Sequence, residues 1–393
     1  MMKTDDVYLN HAGTSWPKPS VVSEAVREAM ATPPGEWPLR FDEAHQSIAE
    51  FFGVARRDQL LLTPGCTSAL AVGIGDALIA SGKRVLTSRW EHHALHRPLL
   101  KLVSSGVRVE YIPTKLDATQ GLVEPIDLDW LEDTLSQQDV GLVAITAACN
   151  VTGELLPYEE VIQIGHQHGA MVIIDAAQIV GWMKLDLTRL GADMVAFGGH
   201  KGLQAPWGIG GLYLSDRVSM ECVSATCGLP STDVNDASKW PRPGYCDVGS
   251  VDQFALAGLH AAIRMLSTME IDGCLSEARN QIRRIRATLE LIDGVRFLGA
   301  AGVENAMPSL AFALSGFTSG EVASQLKRNG LVVGSGFQCA PLVHETLGTA
   351  ESGITRLSVG LGQSNDDIGQ ATERLKLALS QDSFQRKSDS NQV

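Results

Sequence analysis

Two spacings of apolar residues recur along this chain. Short, nearly unbroken apolar runs at Gln59 to Leu62, Arg84 to Thr87, Arg108 to Ile112, Leu142 to Thr146, Val172 to Asp175, Met194 to Phe197 and Gly210 to Leu214 predict seven strands. Runs of that kind belong to strands buried on both faces, and the segments between most of them carry apolar residues at helical spacing. The alternation predicts an α/β architecture, a mainly parallel seven-stranded sheet between helices. Ahead of the first strand, Pro19 to Met30 reads as an amphipathic helix with Val22, Val26 and Ala29 on one side and Ser20 as its cap; the proline-rich Ala31 to Arg40 then breaks it.

The pattern changes after about residue 255. Helical spacing at Leu256 to Met269 and Leu275 to Ile292 gives way to strands at Ser309 to Leu314, Leu331 to Val333 and Thr355 to Val359, with helices at Ser319 to Arg328 and Asn365 to Leu379. This mixture predicts a smaller α+β C-terminal domain. The expected organisation is an N-terminal segment, 1–18, packing with the small domain, a large domain at 19–255, the small domain at 256–380 and a polar, disordered tail at 381–393.

The candidate chemistry concentrates between Met171 and Tyr213. One apolar run ends on Asp175, and the next ends in Gly198-Gly199-His200-Lys201. An acid and a lysine just past two strand ends suit the two ends of a pyridoxal phosphate ring: the amine forms a Schiff base with the aldehyde, and the carboxylate keeps the ring nitrogen protonated. Taken singly, an aspartate there is often a helix cap and a lysine is usually solvated. Thr63 to Ala69, TPGCTSA, is a turn from strand into helix whose free backbone N–H groups, with Thr67 and Ser68, suit a phosphate, though such turns are commonly just capped. A histidine of Glu91-His92-His93 suits stacking on an aromatic cofactor or proton transfer; paired histidines are also ordinary loop residues, and a pair without a third ligand does not make a metal site. Asn150 and Gln178 suit a phenolic oxygen, or equally a buried structural network.

Composition narrows the setting. The chain is 44% hydrophobic and 20% charged with a net charge of −13, so it has neither the basic surface that nucleic acid requires nor one suited to an anionic membrane. No apolar run approaches the roughly 20 residues of a spanning helix, and the acidic N-terminus does not read as a secretory signal, so a cytoplasmic protein is expected. Seven scattered cysteines argue for reduced thiols over a disulfide framework. No strand is followed by the G-x-G-x-x-G turn of a dinucleotide site.

The ordered set TPGCTSA, EHHA, CNVTGELLP, DAAQIVG, GGHKGLQAPWGIGGLY, VGSVDQ, SGFQCAP and TRLSVG resembles the class V aminotransferase superfamily of fold-type I pyridoxal phosphate enzymes, and within it the cysteine desulfurases and selenocysteine lyases. It covers nearly the whole chain. The resemblance implies Lys201 as the Schiff-base lysine, Asp175 at the ring nitrogen, Gln178 near the phenolic oxygen, His92 stacked on the ring and Asn150 lining it. It implies that Thr67, with Cys66 in the same turn, His200 and Ser250 of a neighbouring subunit hold the phosphate, that Arg356 grips the substrate carboxylate, and that Cys339 takes sulfur from L-cysteine as a persulfide, leaving L-alanine. A small amino-acid substrate, a sulfur-acceptor protein and a homodimer follow from the same resemblance. Three positions depart from it: Gly198 where relatives often carry serine, Gly334 where many carry arginine and Gln338 where histidine often precedes the cysteine. Selenocysteine lysis, C–S β-elimination, epimerisation, transamination and a catalytically inactive cofactor-binding relative are the alternatives.

Overall fold

The computed structural model describes residues 5–75, 84–117, 121–218, 251–299 and 305–380. Their strands are, in chain order, β1 (Val7–Leu9), β2 (Leu60–Thr63), β3 (Arg84–Thr87), β4 (Val109–Tyr111), β5 (Lys115–Asp117), β6 (Gly121–Glu124) and β7 (Val140–Thr146). They continue with β8 (Met171–Asp175), β9 (Met194–Gly198), β10 (Gly210–Leu214), β11 (Val295–Leu298), β12 (Ser309–Leu314), β13 (Leu331–Gly336) and β14 (Ile354–Ser358). Contacts group the chain into two compact units, one of residues 17–147 and 156–271, the other of residues 1–16, 148–155 and 272–393.

The first unit is built on a seven-stranded sheet in the order β2-β10-β9-β8-β7-β3-β4, with β5 and β6 in a separate ribbon. All seven expected strands are present. β9, β8, β7, β3 and β4 run parallel, whereas β10 is antiparallel to both β9 and β2. Residues 199–209 are too few for a helical crossover, so the chain returns antiparallel. β8 is buried along Val172–Asp175 and is covered on both faces. A β-carbon at Gly73 of the helix Cys66–Gly73 would lie 2.7 Å from Ile173 Cδ1, and one at Gly165 of the helix Tyr158–Gln167 would lie 2.7 Å from Val172 Cγ2. Successive strand residues face opposite ways, so these helices press on opposite faces of one strand.

Toward the N-terminus the helix is Ser20–Ala31, and Pro19, not Ser20, occupies its cap position without a side-chain hydrogen bond. Ser20 is already helical, so its hydroxyl cannot take the capping role. The proline-rich segment contains a short 3-10 turn, Pro34–Glu36, and then a second helix, Trp37–Phe51, with Pro38 in its first turn, where a missing N–H costs nothing. Both helices pack on Gln253–Leu266, which Asp252 caps through the N–H groups of Phe254 and Ala255.

The second unit carries a five-stranded sheet in the order β1-β13-β14-β12-β11. β1 joins it in parallel, Val7 opposite Leu331, and the remaining pairs are antiparallel. The helix Ser319–Arg328 begins with a capping box between Thr318 and Glu321, and Asn365–Leu379 with a Ser364 cap.

Candidate active site

The parallel strands β7, β8 and β9 present their carboxyl ends at one edge of the sheet, where open α/β sheets bind ligands. Asp175, 3% exposed, ends β8 in register with Thr146 of β7 and Ala196 of β9. Its Oδ1 accepts from the Ala177 N–H at 2.9 Å and from Cys66 Sγ at 3.3 Å. Cys66 is the first residue of its helix, directly after the Pro64-Gly65 turn that follows β2. Burial first and Asp175 second push the Cys66 thiol well up, while Lys201 pulls it down, so the acid and the lysine both act on this one sulfur. The thiol keeps its proton and serves as a donor to Asp175.

Lys201 lies in the 199–209 turn. The turn is closed by the Gly199 N–H to Ile209 O, the Ala205 N–H to Gly199 O and the Gln204 N–H to Lys201 O, all at 2.9 Å. After Asp175 the chain makes another turn, with the N–H groups of Ile179 and Val180 both donating to Ala176 O; Gln178 sits within it. These two turns meet backbone on backbone. A β-carbon at Gly202 would lie 2.3 Å from Val180 O, and one at Gly181, whose φ is +81°, would lie 2.3 Å from the Gly202 carbonyl carbon. Only glycine permits that approach, and it sets Lys201 relative to Asp175.

His92 caps the helix His93–Ser104, its Nδ1 accepting from the Ala94 N–H at 3.0 Å, which fixes the ring's orientation. Thr67 is exposed in the first turn of its helix. His200 is driven down to about 4 by burial, then by Lys201 and Lys18, and is a neutral imidazole near pH 7. Lys18 was not among the expected site residues. Its ammonium donates to His200 O at 2.9 Å, lies 5.9 Å from the centre of the Trp207 ring and is lowered to about 8 by burial. Ser250 lies outside the described residues.

Glu91, adjacent to His92, was also missed as a site residue. It is 1% exposed. Burial raises its carboxyl well above the usual range and Asp175 adds to that, against the Ser88 hydroxyl and the backbone of Thr146 and Ser88, which lower it. Glu91 is therefore shifted toward its protonated form beside Asp175, and Ser88 is hydrogen-bonded to it. Its position after a strand was visible in the sequence, but its burial was not.

The second unit gathers Asn150, Arg356 and Cys339. Arg356 lies on β14, opposite Gly334 of β13 and Ala311 of β12, and is 2% exposed. Its Nη2 donates to Asn10 Oδ1 at 2.8 Å, its Nη1 donates to the Asn150 carbonyl, and its Nε has no partner. Among the described residues no carboxylate forms an ion pair with it. Burial lowers it to about 10, while Cys149, Tyr8 and Cys339 favour its charge. Uncompensated buried charge costs several kcal/mol, so a guanidinium held by neutral groups is a ready receptor for an anion. Asn10 is placed by β1 and carried no signal in the sequence. Cys339 is exposed and adopts φ +59°, directly after Gln338 at +48°. The Asn150 amide donates to Gln338 O at 2.6 Å, which ties this loop to the turn that supports Arg356.

In the comparisons with solved structures, the apo cysteine desulfurase of Thermococcus onnurineus superposes with a TM-score of 0.85 at 23% identity, covering 95% of each chain. An Escherichia coli cysteine desulfurase superposes with 0.81 at 23% identity, again over 95% of each. These likenesses show a shared fold, a large α/β unit with a smaller α+β one. The aminotransferase class-V family matches residues 7–370, and the chain belongs to that family. A probable cysteine desulfurase of Methanothermobacter thermautotrophicus is 29% identical over 388 residues, covering 95% of this chain and 94% of the relative. A cysteine desulfurase of Shigella sonnei is 26% identical over 324 residues, covering 80% and 77%.

Family membership implies pyridoxal phosphate as the cofactor. The residues present fit it: a carboxylate and a lysine on adjoining turns, a buried acid beside the carboxylate whose ionisation is disfavoured, and a neutral imidazole next to the lysine. Among the described residues no group of three His, Cys, Asp or Glu could hold a metal, and no helix is long and apolar enough to cross a membrane.

Gly202→Ala should cost about 1–3 kcal/mol of stability through overpacking and about 100-fold or more in kcat, because a 1 Å shift of a catalytic group has that effect; wild-type kcat in a folded variant would show that the contact does not position Lys201. Because the folded-state pKa of Glu91 is raised, the unfolded chain loses this proton first, and stability falls as pH rises above the ordinary carboxyl value of about 4.3. Thermal unfolding of Glu91→Gln between pH 5 and 7 should show a gain over wild type that grows with pH, by at most about 1.4 kcal/mol per unit, and a pH-independent difference would contradict the raised Glu91 pKa.

Proposed function

We propose that this protein is a pyridoxal phosphate-dependent cysteine desulfurase that converts L-cysteine to L-alanine and leaves the sulfur on Cys339 as a persulfide. The observation that carries this reading is the buried Arg356, with an unpartnered Nε and no carboxylate paired to it among the described residues, in the same unit as an exposed thiol that acts electrostatically upon it. The names of the relatives point the same way.

Pyridoxal phosphate, when bound, supplies an electron-withdrawing ring that stabilises negative charge at the substrate's α-carbon. In this proposal Lys201 holds the cofactor through its amine and, once released, takes the α-proton as general base. Asp175 pairs with the ring nitrogen, and the Cys66 thiol and the Ala177 N–H hold the Asp175 carboxylate in place. His92 stacks on the ring, Gln178 and Asn150 face its polar edge, and Thr67, His200 and Ser250 hold the phosphate, Ser250 from the second subunit of a homodimer. Arg356 fixes the substrate carboxylate in a planar, two-point grip that lysine cannot reproduce.

The Cys339 thiolate then attacks the substrate sulfur. An S–S bond forms as the Cβ–S bond breaks, the electron pair stays on the β-carbon, which takes up a proton, and Lys201 returns a proton to the α-carbon to give alanine. The persulfide next meets a thiol-bearing acceptor protein, in keeping with the exposure of Cys339.

Incubation with L-cysteine and a thiol reductant should yield sulfide and alanine in equal amounts, and Cys339→Ser should lose at least about 100-fold in rate while retaining the cofactor absorbance. Sulfide with pyruvate, or unchanged turnover in the serine variant, would refute the persulfide route. Arg356→Lys should raise KM for L-cysteine roughly 10- to 100-fold, as expected for a lost charge-assisted hydrogen bond; an unchanged KM would remove Arg356 from carboxylate binding.

A further inference from the structure

Arg356 Nε is not alone in lacking a partner. Among the buried polar atoms of the second unit without a hydrogen-bond partner are Arg356 Nε, Gln338 Nε2 and Asn150 Oδ1. They are neighbours. Arg356 Nη1 donates to the Asn150 carbonyl, the Asn150 amide donates to the Gln338 carbonyl at 2.6 Å, and Gln338 Oε1 and Arg356 Nε lie 3.2 and 3.4 Å from the place a β-carbon at Gly334 would occupy. Native folds satisfy nearly all buried polar groups, so two donors and one acceptor left open together describe the complement they await. Two donors suit an anionic group with two oxygens, and the acceptor suits a donor attached close to it. An α-amino carboxylate has that pattern.

The Gln338 backbone points to the same conclusion. Gln338 and Cys339 are two of three non-glycine residues with positive φ among the described residues, a conformation that L residues adopt only when their surroundings impose it. Here it is imposed by the Asn150 amide on Gln338 O and by the Ala340 N–H on Phe337 O at 2.9 Å. Gly334 presents no side chain beside Arg356, and Asn10 Oδ1 and Gln338 Oε1 border that space, 2.9 and 3.2 Å from the place its β-carbon would occupy.

We propose that Gln338 is a substrate-binding residue whose side-chain amide donates to the same carboxylate as Arg356 Nε. The inference rests on the reading above that this site takes an α-amino acid. It adds a specificity: one guanidinium with a neutral amide matches a single negative charge, so the site selects monocarboxylic amino acids.

The test is spectral titration of the holoenzyme with L-alanine and with ethylamine, which keeps the amine and lacks the carboxylate, in wild type, Gln338→Ala and Gln338→Glu. L-Alanine binding should weaken about tenfold in the alanine variant and about 100-fold or more in the glutamate variant, where a carboxylate opposes a carboxylate, while ethylamine binding stays within about twofold. Unchanged L-alanine affinity, or equal losses for both ligands, would overturn the proposal. Binding is read without turnover, so a wild type that binds L-alanine yet forms no alanine from L-cysteine refutes the proposed reaction and not this contact.

Discussion

The placement of Lys201 relative to Asp175 depends on one contact, the approach of the Gly181 and Gly202 backbones. Asp175 belongs to one turn and Lys201 to another, and nothing in the covalent chain between them fixes their separation. The sheet brings β8 and β9 into register, with Ala176 N–H bonded to Ala196 O at 2.8 Å, but beyond the strands only the docked turns carry that register outward. Because the contact is backbone on backbone, it has none of the rotamer freedom of a side-chain contact. The polar groups around it complete the electrostatics: Cys66 braces the Asp175 carboxylate, and burial disfavours the ionised form of Glu91 beside it.

The other unit poses the opposite electrostatic problem. Its buried guanidinium is held by the side-chain amide oxygen of Asn10 and the backbone carbonyl of Asn150, groups that orient a cation without neutralising it. β1 brings Asn10 to Arg356, and the 148–155 turn brings Asn150 to Arg356 and to the Cys339 loop. The local cost of positive φ at Gln338 and Cys339 is met by the same asparagine. Charge reception and thiol presentation therefore share one small network, and a change at any member is felt by the others.

Much of this was legible in the sequence because buried parallel strands are unbroken apolar runs, and all seven in the large sheet could be read that way. The direction of β10 was not, since apolar spacing carries no polarity; it follows from the shortness of the 199–209 connection. β1 and β11 escaped notice as short, partly exposed strands defined by distant partners, and Trp37–Phe51 was hidden because Pro38 reads as a helix breaker everywhere except in a first turn. Asp175 and Lys201 stood out by residue type at strand ends. Glu91, Lys18, Asn10 and Gln338 did not, because what distinguishes each is burial or a hydrogen bond, made or unmet, that depends on segments far away in the chain.

The central claim, that the two docked turns present Lys201 as the amine that carries the cofactor, is tested most directly by reducing the holoenzyme with borohydride and mapping the pyridoxyl-modified peptide by mass. The account predicts a single modified lysine at Lys201. Modification at Lys18 or at any other lysine, with Lys201 unmodified, would contradict it.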